Sequence, residues 1–355
     1  MRGSRVAYVL TSMLIASAVG WSVANSVATR EPAVARAGAD ALPWVRLPGG
    51  LDNPGKLAVS PGGTLYVISG EQVLERLADG TFSLVAGTGR AGFSGDGGPA
   101  PDASFGVPAA LAVAPNGDLY VADSGNGRVR EVLHNGTIIT VAGSGSGSWS
   151  RGDEPALHAA LGGVDALVMG RGGNLYMASA AGVSELVNGE VRWLVGSVPD
   201  GRWGGCGWAT SGDFSSVSTL AVDGQGDVYV VQGICKEILE WTPSNQMRFV
   251  ELAGQGSDTA KIASGPSGLV VVGALGEIDE LAPEIKNHFR LVDLNRLLGP
   301  GHGIFSVANV AVGADGAIYE DTGWLTLGAA IVEFPPAGFK ASVPTPRVLW
   351  TEPRR

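Results

Sequence analysis

Cysteine, histidine and positive charge are what this chain has least of. Cys206 and Cys235 are the only cysteines in 355 residues, too few for a disulfide-stapled miniature fold or a multi-cysteine metal centre. There are four histidines, charged residues make up 16%, and the net charge is −10. No Lys/Arg cluster occurs anywhere. Nucleic acids and anionic membrane surfaces both demand a positive footprint, so neither is expected as a partner.

Long apolar runs are also scarce, with one exception at the N-terminus. Arg2 and Arg5 precede an apolar stretch from Val6 to about Val19, and no further charge follows until Arg30. Small residues then recur at Ser26–Ala28 and Ala35–Ala37. This is the pattern of an export signal over residues 1–37. An uncleaved anchor is the alternative, because the 24 uncharged residues 6–29 just span a bilayer. Either way the body is expected outside the cytoplasm, secreted or anchored, and touches membrane only through this segment. Cleavage would remove four Arg and one Glu from 24 basic and 34 acidic residues, leaving a net charge of −13.

What the chain does have is glycine, 55 residues, with 20 prolines and 45% apolar residues. That apolar content suffices for a packed core, so the glycines speak for many tight turns between short strands. The hairpin "LAVAPNGDLYVAD" (Leu111–Asp123) recurs six times without a gap. The other copies are "LAVSPGGTLYVIS" at 57, "LVMGRGGNLYMAS" at 167, "LAVDGQGDVYVVQ" at 220, "KIASGPSGLVVVG" at 261 and "VAVGADGAIYEDT" at 310. A third apolar strand follows each copy, and a fourth follows the first five. Asp79-Gly80, Asn135-Gly136 and Asn188-Gly189 suit the tight turns between third and fourth strands. Four antiparallel strands repeated six times predict an all-β, six-bladed β-propeller spanning residues 38–340. The sixth unit lacks its own fourth strand. Residues 44–48 (WVRLP) are the expected closing strand, with Arg347–Trp350 in the 341–355 tail as the alternative.

The Gly-rich run "VAGTGRAGFSGDGGPA" (Val85–Ala100) does not read as a cofactor loop. No Lys-Ser/Thr pair and no helix follow it, as a phosphate loop requires. "GFSGDGGPA" holds one carboxylate, Asp96, where a calcium loop needs several. It recurs at an offset of 56, with Phe93 aligned to Trp149 and Pro99-Ala100 to Pro155-Ala156. We read it as the connector between blades, and no cofactor is expected.

"LYVADSGNGRVREV" (Leu119–Val132), with "VAGTG" and "GFSGDGGPA" ahead of it, resembles the NHL repeat. The resemblance covers residues 44–340 by architecture and about the first half by motif. Gly127 follows Asn126 where that family usually has His. The family's six-bladed propellers include extracytoplasmic sensor domains, which implies an exported, non-catalytic binding or sensor propeller. Related enzymatic propellers, lyases and gluconolactonase-like hydrolases, place metal ligands around the axis. That implies the alternative of a metal-dependent lyase or lactonase.

Strand order assigns the loops to two faces. Connectors and second-to-third strand loops share one face, which is long-looped and aromatic; the tight hairpins share the other. Function in such scaffolds sits in loops on a rigid frame. Candidate ligand-binding residues on the loop-rich face are Trp149, Trp203, Trp208, Trp324, His158 and His302. Lys56, Asp165 and Asn309 stand at the channel mouth. Cys206 and Cys235 fall on this face in a connector and a loop of blade 4, close enough in topology to pair as a disulfide. The aligned positions at the starts of the inner strands are Gly55-Lys56, Ala109-Ala110, Asp165-Ala166, Ser218-Thr219, Thr259-Ala260 and Ala308-Asn309. One carboxylate among them does not build a metal site, which takes three or four ligands. The expected ligand is a glycan, a peptide or a cell-wall component. A ratio of 19 Arg to 5 Lys hints at a GC-rich bacterial genome.

Overall fold

A computed structural model describes residues 51, 54–150, 152–170, 172–179, 181–196, 217–232, 237–244, 247–250, 261–265, 269–272, 277–282, 287–293, 304–324, 328–334 and 347–351. Its strands are short and their hairpin turns tight, as the glycine content requires. The first sheet consists of β1 (Pro54–Val59), β2 (Leu65–Ser69), β3 (Gln72–Arg76) and β4 (Phe82–Ala86). The second holds β5 (Pro108–Val113), β6 (Leu119–Asp123), β7 (Arg128–Val132) and β8 (Ile138–Ala142). A two-residue strand, β9 (Glu154–Pro155), precedes the third sheet of β10 (Val164–Met169), β11 (Leu175–Ser179), β12 (Gly182–Val187) and β13 (Glu190–Gly196). Then come β14 (Val217–Val222), β15 (Val228–Gln232), β16 (Glu237–Trp241) and β17 (Met247–Val250). The fifth sheet is β18 (Lys261–Ser264), β19 (Leu269–Val272), β20 (Glu277–Ala282) and β21 (Asn287–Asp293). The sixth is β22 (Ile304–Val312), β23 (Ile318–Trp324), β24 (Gly328–Phe334) and β25 (Arg347–Thr351). Every pairing is antiparallel, and within each sheet the strands follow the order of the chain, except that β9 lies beyond β13. The fold is an all-β propeller of four-stranded antiparallel blades. No helix among the described residues is long and apolar enough to cross a membrane.

Why the sheets stand face to face is written in the motif "Leu-Ala-Val". Side chains alternate across a strand, so large and small residues segregate to opposite faces. Ala58, Ile68 and Val73 of the first sheet pack on Leu111, Val113, Leu119 and Val121 of the second. Ala110, Ala112 and Ala122 meet Leu167, Leu175 and Met177 of the third. Ala166 and Ala178 meet Leu220, Val222 and Val228 of the fourth. Small faces thus meet large ones between neighbouring sheets. The same logic joins last to first: Ala311, Tyr319 and Ile331 of the sixth sheet pack on Leu57, Leu65 and Val67. Each first strand lies beside the first strands of its two neighbours, and β22 lies beside β1.

Two expectations are corrected. The sixth sheet takes its fourth strand from the C-terminus: Glu333, Val332 and Ile331 of β24 pair with Arg347, Val348 and Trp350 of β25. Residues 347–351 of the 341–355 tail thus hold the place that residues 44–48 were expected to fill. The third sheet has five strands, because Glu154 and Pro155 pair with Val191 and Glu190 on the outer edge of β13.

That fifth strand shows what the glycine-rich connectors do. Ala100 accepts from the Gly87 amide at the end of β4 (3.0 Å) and donates to the Gly136 carbonyl ahead of β8 (2.8 Å). Ala156 repeats the clasp between Gly143 (2.8 Å) and Gly189 (2.9 Å). Both alanines are buried. Each connector therefore ties the outer strand of one blade to that of the next. Glycine is required at Gly87 and Gly143, whose φ values are +95° and +99°. A Cβ there would come within 2.3 Å of the Glu71 and Gly127 carbonyl oxygens, respectively.

Candidate functional site

Five of the six first strands break register at one aligned place, just before or at the residues named for the channel mouth. The ladder shifts between Pro54 and Leu57, Pro108 and Ala110, Val164 and Ala166, Val217 and Thr219, and Val307 and Asn309. A bulge re-aims the extra residue out of the pleat. Asp165, Ala109, Ser218 and Ala308 are those extra residues. Asp165 is half-buried, and burial raises its carboxyl pKa above the ordinary value while the Lys56 ammonium pulls it back down. Lys56 belongs to the first sheet and Asp165 to the third, with the alanines Ala109 and Ala110 of the second between them. Asn309 is 7% exposed at the level of Lys56 in the sixth sheet. The structure thus brings Lys56 and Asp165 within electrostatic reach of each other across non-adjacent blades.

Sequence reasoning missed Lys261. It occupies the position of Leu57, Leu111, Leu167 and Leu220, and burial lowers its ammonium pKa. A Lys at an otherwise apolar aligned position was the available signal. Among the described residues, no three His, Cys, Asp or Glu side chains gather in a way that could hold a metal ion.

The loop-rich face is less uniform than its aromatic content implied. Trp149 bridges to Leu161 and lies against Gly162, where a Cβ would fall 2.4 Å from its indole nitrogen. It packs on the core between the second and third sheets, so it caps that interface. His158 is exposed, two residues past the Ala156 clasp, and its amide donates to the Pro155 carbonyl (2.8 Å). It stands beside the outer edge of the third sheet, away from the channel mouth. Trp324 ends β23, paired with Ile304 and Gly328. Trp203, Trp208, His302, Cys206 and Cys235 lie outside the described residues.

The NHL-like motif residues act as braces. Asp123, fully buried, accepts from the Gly106 amide (2.7 Å) and from the Asn126 side chain (2.7 Å). Burial raises its pKa, and those two donors and Arg130 oppose the shift. Asn126 also donates to the Gly92 carbonyl (2.8 Å). The Ser124 hydroxyl donates to the Val164 carbonyl and so links the second sheet to the third.

Arg130 is the largest fully buried side chain among the described residues. Its guanidinium donates to Asp96 (2.8 and 3.2 Å) and to the Ser94 (2.9 Å) and Ser104 (3.0 Å) carbonyls. It also stacks 5.2 Å from the Phe93 centroid and 5.3 Å from that of Phe105. Asp96, the lone carboxylate of the glycine run, is therefore a partner for a buried cation.

A second repeated pair spans the blades near the hairpin face. Tyr120 donates to Glu131 (2.6 Å), its register partner, and Tyr66 is paired in register with Glu75, Tyr176 with Glu185, Tyr229 with Glu240 and Tyr319 with Glu333. Burial, aided by the carboxylate, raises the pKa of the first four phenols, that of Tyr176 to about 12.

Comparison with known proteins agrees with this architecture. The family model of the Teneurin NHL domain matches residues 49–133. Human Teneurin-4 is 39% identical over 100 residues, covering 24% of this chain and 4% of the teneurin. Human Teneurin-1 is 58% identical over 43 residues, 12% of this chain and 2% of that protein. The chain thus spans a few per cent of the length of these relatives. Among solved structures, virginiamycin B lyase from Staphylococcus aureus superposes with a TM-score of 0.52 at 13% identity, over 86% of each chain. At that identity the likeness is one of fold. Residues 49–133 are NHL-like in sequence, and the sheets beyond them continue the same propeller fold.

Proposed function

We propose that this chain is an exported, six-bladed binding propeller that engages a ligand at the mouth of its central channel on the loop-rich face. The observation that carries the reading is the half-buried Lys56–Asp165 pair, contributed by non-adjacent blades. Half-buried groups of opposite charge, contributed by two blades, offer a ligand an acceptor and a donor at one place. Ala109, Ala110 and Ala166 flank the pair with small side chains, while Asn309 adds a polar one. A carboxylate, an ammonium and amide or hydroxyl groups at one place suit a peptide, glycan or cell-wall fragment that bears both donors and acceptors. The six sheets and the contact of the sixth with the first support the blade number.

Binding arrays of muropeptides, glycans and peptides, probed with wild type, Lys56→Met and Asp165→Asn, test the site. A ligand retained by wild type and weakened at least about tenfold by each variant, roughly 1.4 kcal/mol, supports it. A ligand held equally by all three proteins overturns it. The competing reading, a metal-dependent lyase or lactonase, rests on the similarity of fold to the lyase. A stoichiometric divalent ion on protein purified without chelator would favour that reading over ours.

A further inference from the structure

We propose that the outer face of the first sheet is a docking site for this chain's own residues 42–50, which lie along β4 as the connectors lie along β8 and β13. This inference is independent of the ligand reading.

Three observations converge. First, the outer edges of the second and third sheets are each covered by the chain just ahead of that sheet. Gly97 and Gly98 bond Ile138, and Glu154 and Pro155 pair with β13. Among the described residues nothing pairs with the outer edge of β4. Second, the chain enters at that place. Leu51, Phe105 and Leu161 each stand six residues ahead of an aligned leucine, and all three are buried. Leu51 joins the cluster against which Leu74 of β3 and Phe82 of β4 pack. Leu51 therefore stands beside the uncovered strand. From Trp44 to Leu51 an extended chain reaches about 23 Å, more than the roughly 17 Å that a five-residue strand spans.

Third, the chemistry of the face changes to match. In the second sheet the register positions Arg130 and Thr140 meet a polar connector, Asp96 accepting from both. In the third, Ser184 pairs with Trp193, whose amide donates to Asp153 (3.3 Å). In the first sheet the same positions are Leu74 and Leu84, and Leu84 is 40% exposed. The occupant must accordingly be apolar and free of carboxylates. Residues 41–51 read ALPWVRLPGGL, with Leu42, Trp44, Val45 and Leu47 and no Asp or Glu.

Amide exchange at Ser83, Leu84 and Val85 tests the proposal in the full chain. The comparison is wild type against Trp44→Asp/Leu47→Asp, with Ile138–Ala142 as the internal control. Exchange at the β4 edge is expected to quicken about tenfold or more while the control stays fixed. Equal exchange in both proteins overturns the docking. Protection that depends on protein concentration, with a dimer in light scattering, also overturns it in favour of a second copy. Because the substitutions lie outside the described sheets, a variant that unfolds would show itself at the control strand. In that case slowed alkylation of Leu84→Cys in the unaltered N-terminal background decides, with free reactivity refuting the proposal.

Discussion

Replacing Arg130 tests whether the glycine-rich connector is held by hydrogen bonds or merely by packing. Arg130→Met keeps most of the stem volume but removes every donor. The Ser94 and Ser104 carbonyls, bonded at 2.9 and 3.0 Å, would then lose their partner. Full burial would put each orphaned acceptor at about 1–3 kcal/mol; Ser94 is exposed and Ser104 half-buried, so the two together predict a loss of about 1–3 kcal/mol. Asp96 adds little, because its side chain is 37% exposed and rehydrates. Arg130→Ala should cost more, about 3–5 kcal/mol, through lost contacts of the stem with Phe93 and Phe105. Asp96→Asn should cost under about 1 kcal/mol, because a solvent-screened ion pair contributes little. Urea titrations followed by Trp fluorescence give the shifts in midpoint at constant slope. Arg130→Met as stable as wild type would refute the argument, since packing alone would then hold the connector.

Further outcomes follow from single sites. Gly143→Ala should cost about 2 kcal/mol or more, since φ is +99° and the new Cβ would strike the Gly127 carbonyl; thermal unfolding reads this directly. Tyr120→Phe should cost about 1 kcal/mol by loss of the bond to Glu131. The raised phenol pKa values mean that the folded state holds its protons longer than the unfolded one. The phenols' contribution to stability should therefore be constant below about pH 10 and fall as pH rises towards 12, the value to which Tyr176 is lifted; ultraviolet titration of phenolate with parallel denaturation checks it. Asp165→Asn should leave stability at pH 7 equal or higher, because burial of the ionised carboxyl opposes folding. That gain should vanish below about pH 4, where the aspartate is neutral in both states.

The blades were legible because their signal is local. Period-two apolar runs with Asn-Gly and Asp-Gly turns specify hairpins without reference to the rest of the chain, and Gly80, Gly117 and Gly136 do adopt positive φ. The closing strand was not legible. WVRLP and RVLW are both short apolar runs, and only the tertiary register of Ile331 with Trp350 separates them. Arg130 was missed for a similar reason. In "RVREV" it reads as a solvent-facing residue of an edge hairpin, and its partners Ser94, Asp96 and Ser104 lie 26 to 36 residues away. At the channel mouth, Lys56 and Asp165 were named from alignment alone, but that they sense each other depends on ring curvature, which no local pattern encodes. His158 stands beside the outer edge of the third sheet because the connector turns outward to clasp the neighbouring blade, a path set by the Ala156 bonds.

The distance between the first and sixth sheets tests the ring most directly. Gly62 and Ala314 are exposed in corresponding turns, and a Cβ on neighbouring Gly313 would sit 3.5 Å from Val59. Spin labels introduced at these two sites as unnatural amino acids should lie within about 20 Å of each other, because packed sheets are spaced roughly 10 Å apart. A separation near 50 Å, five such spacings, would mean an open stack and would contradict the closed propeller.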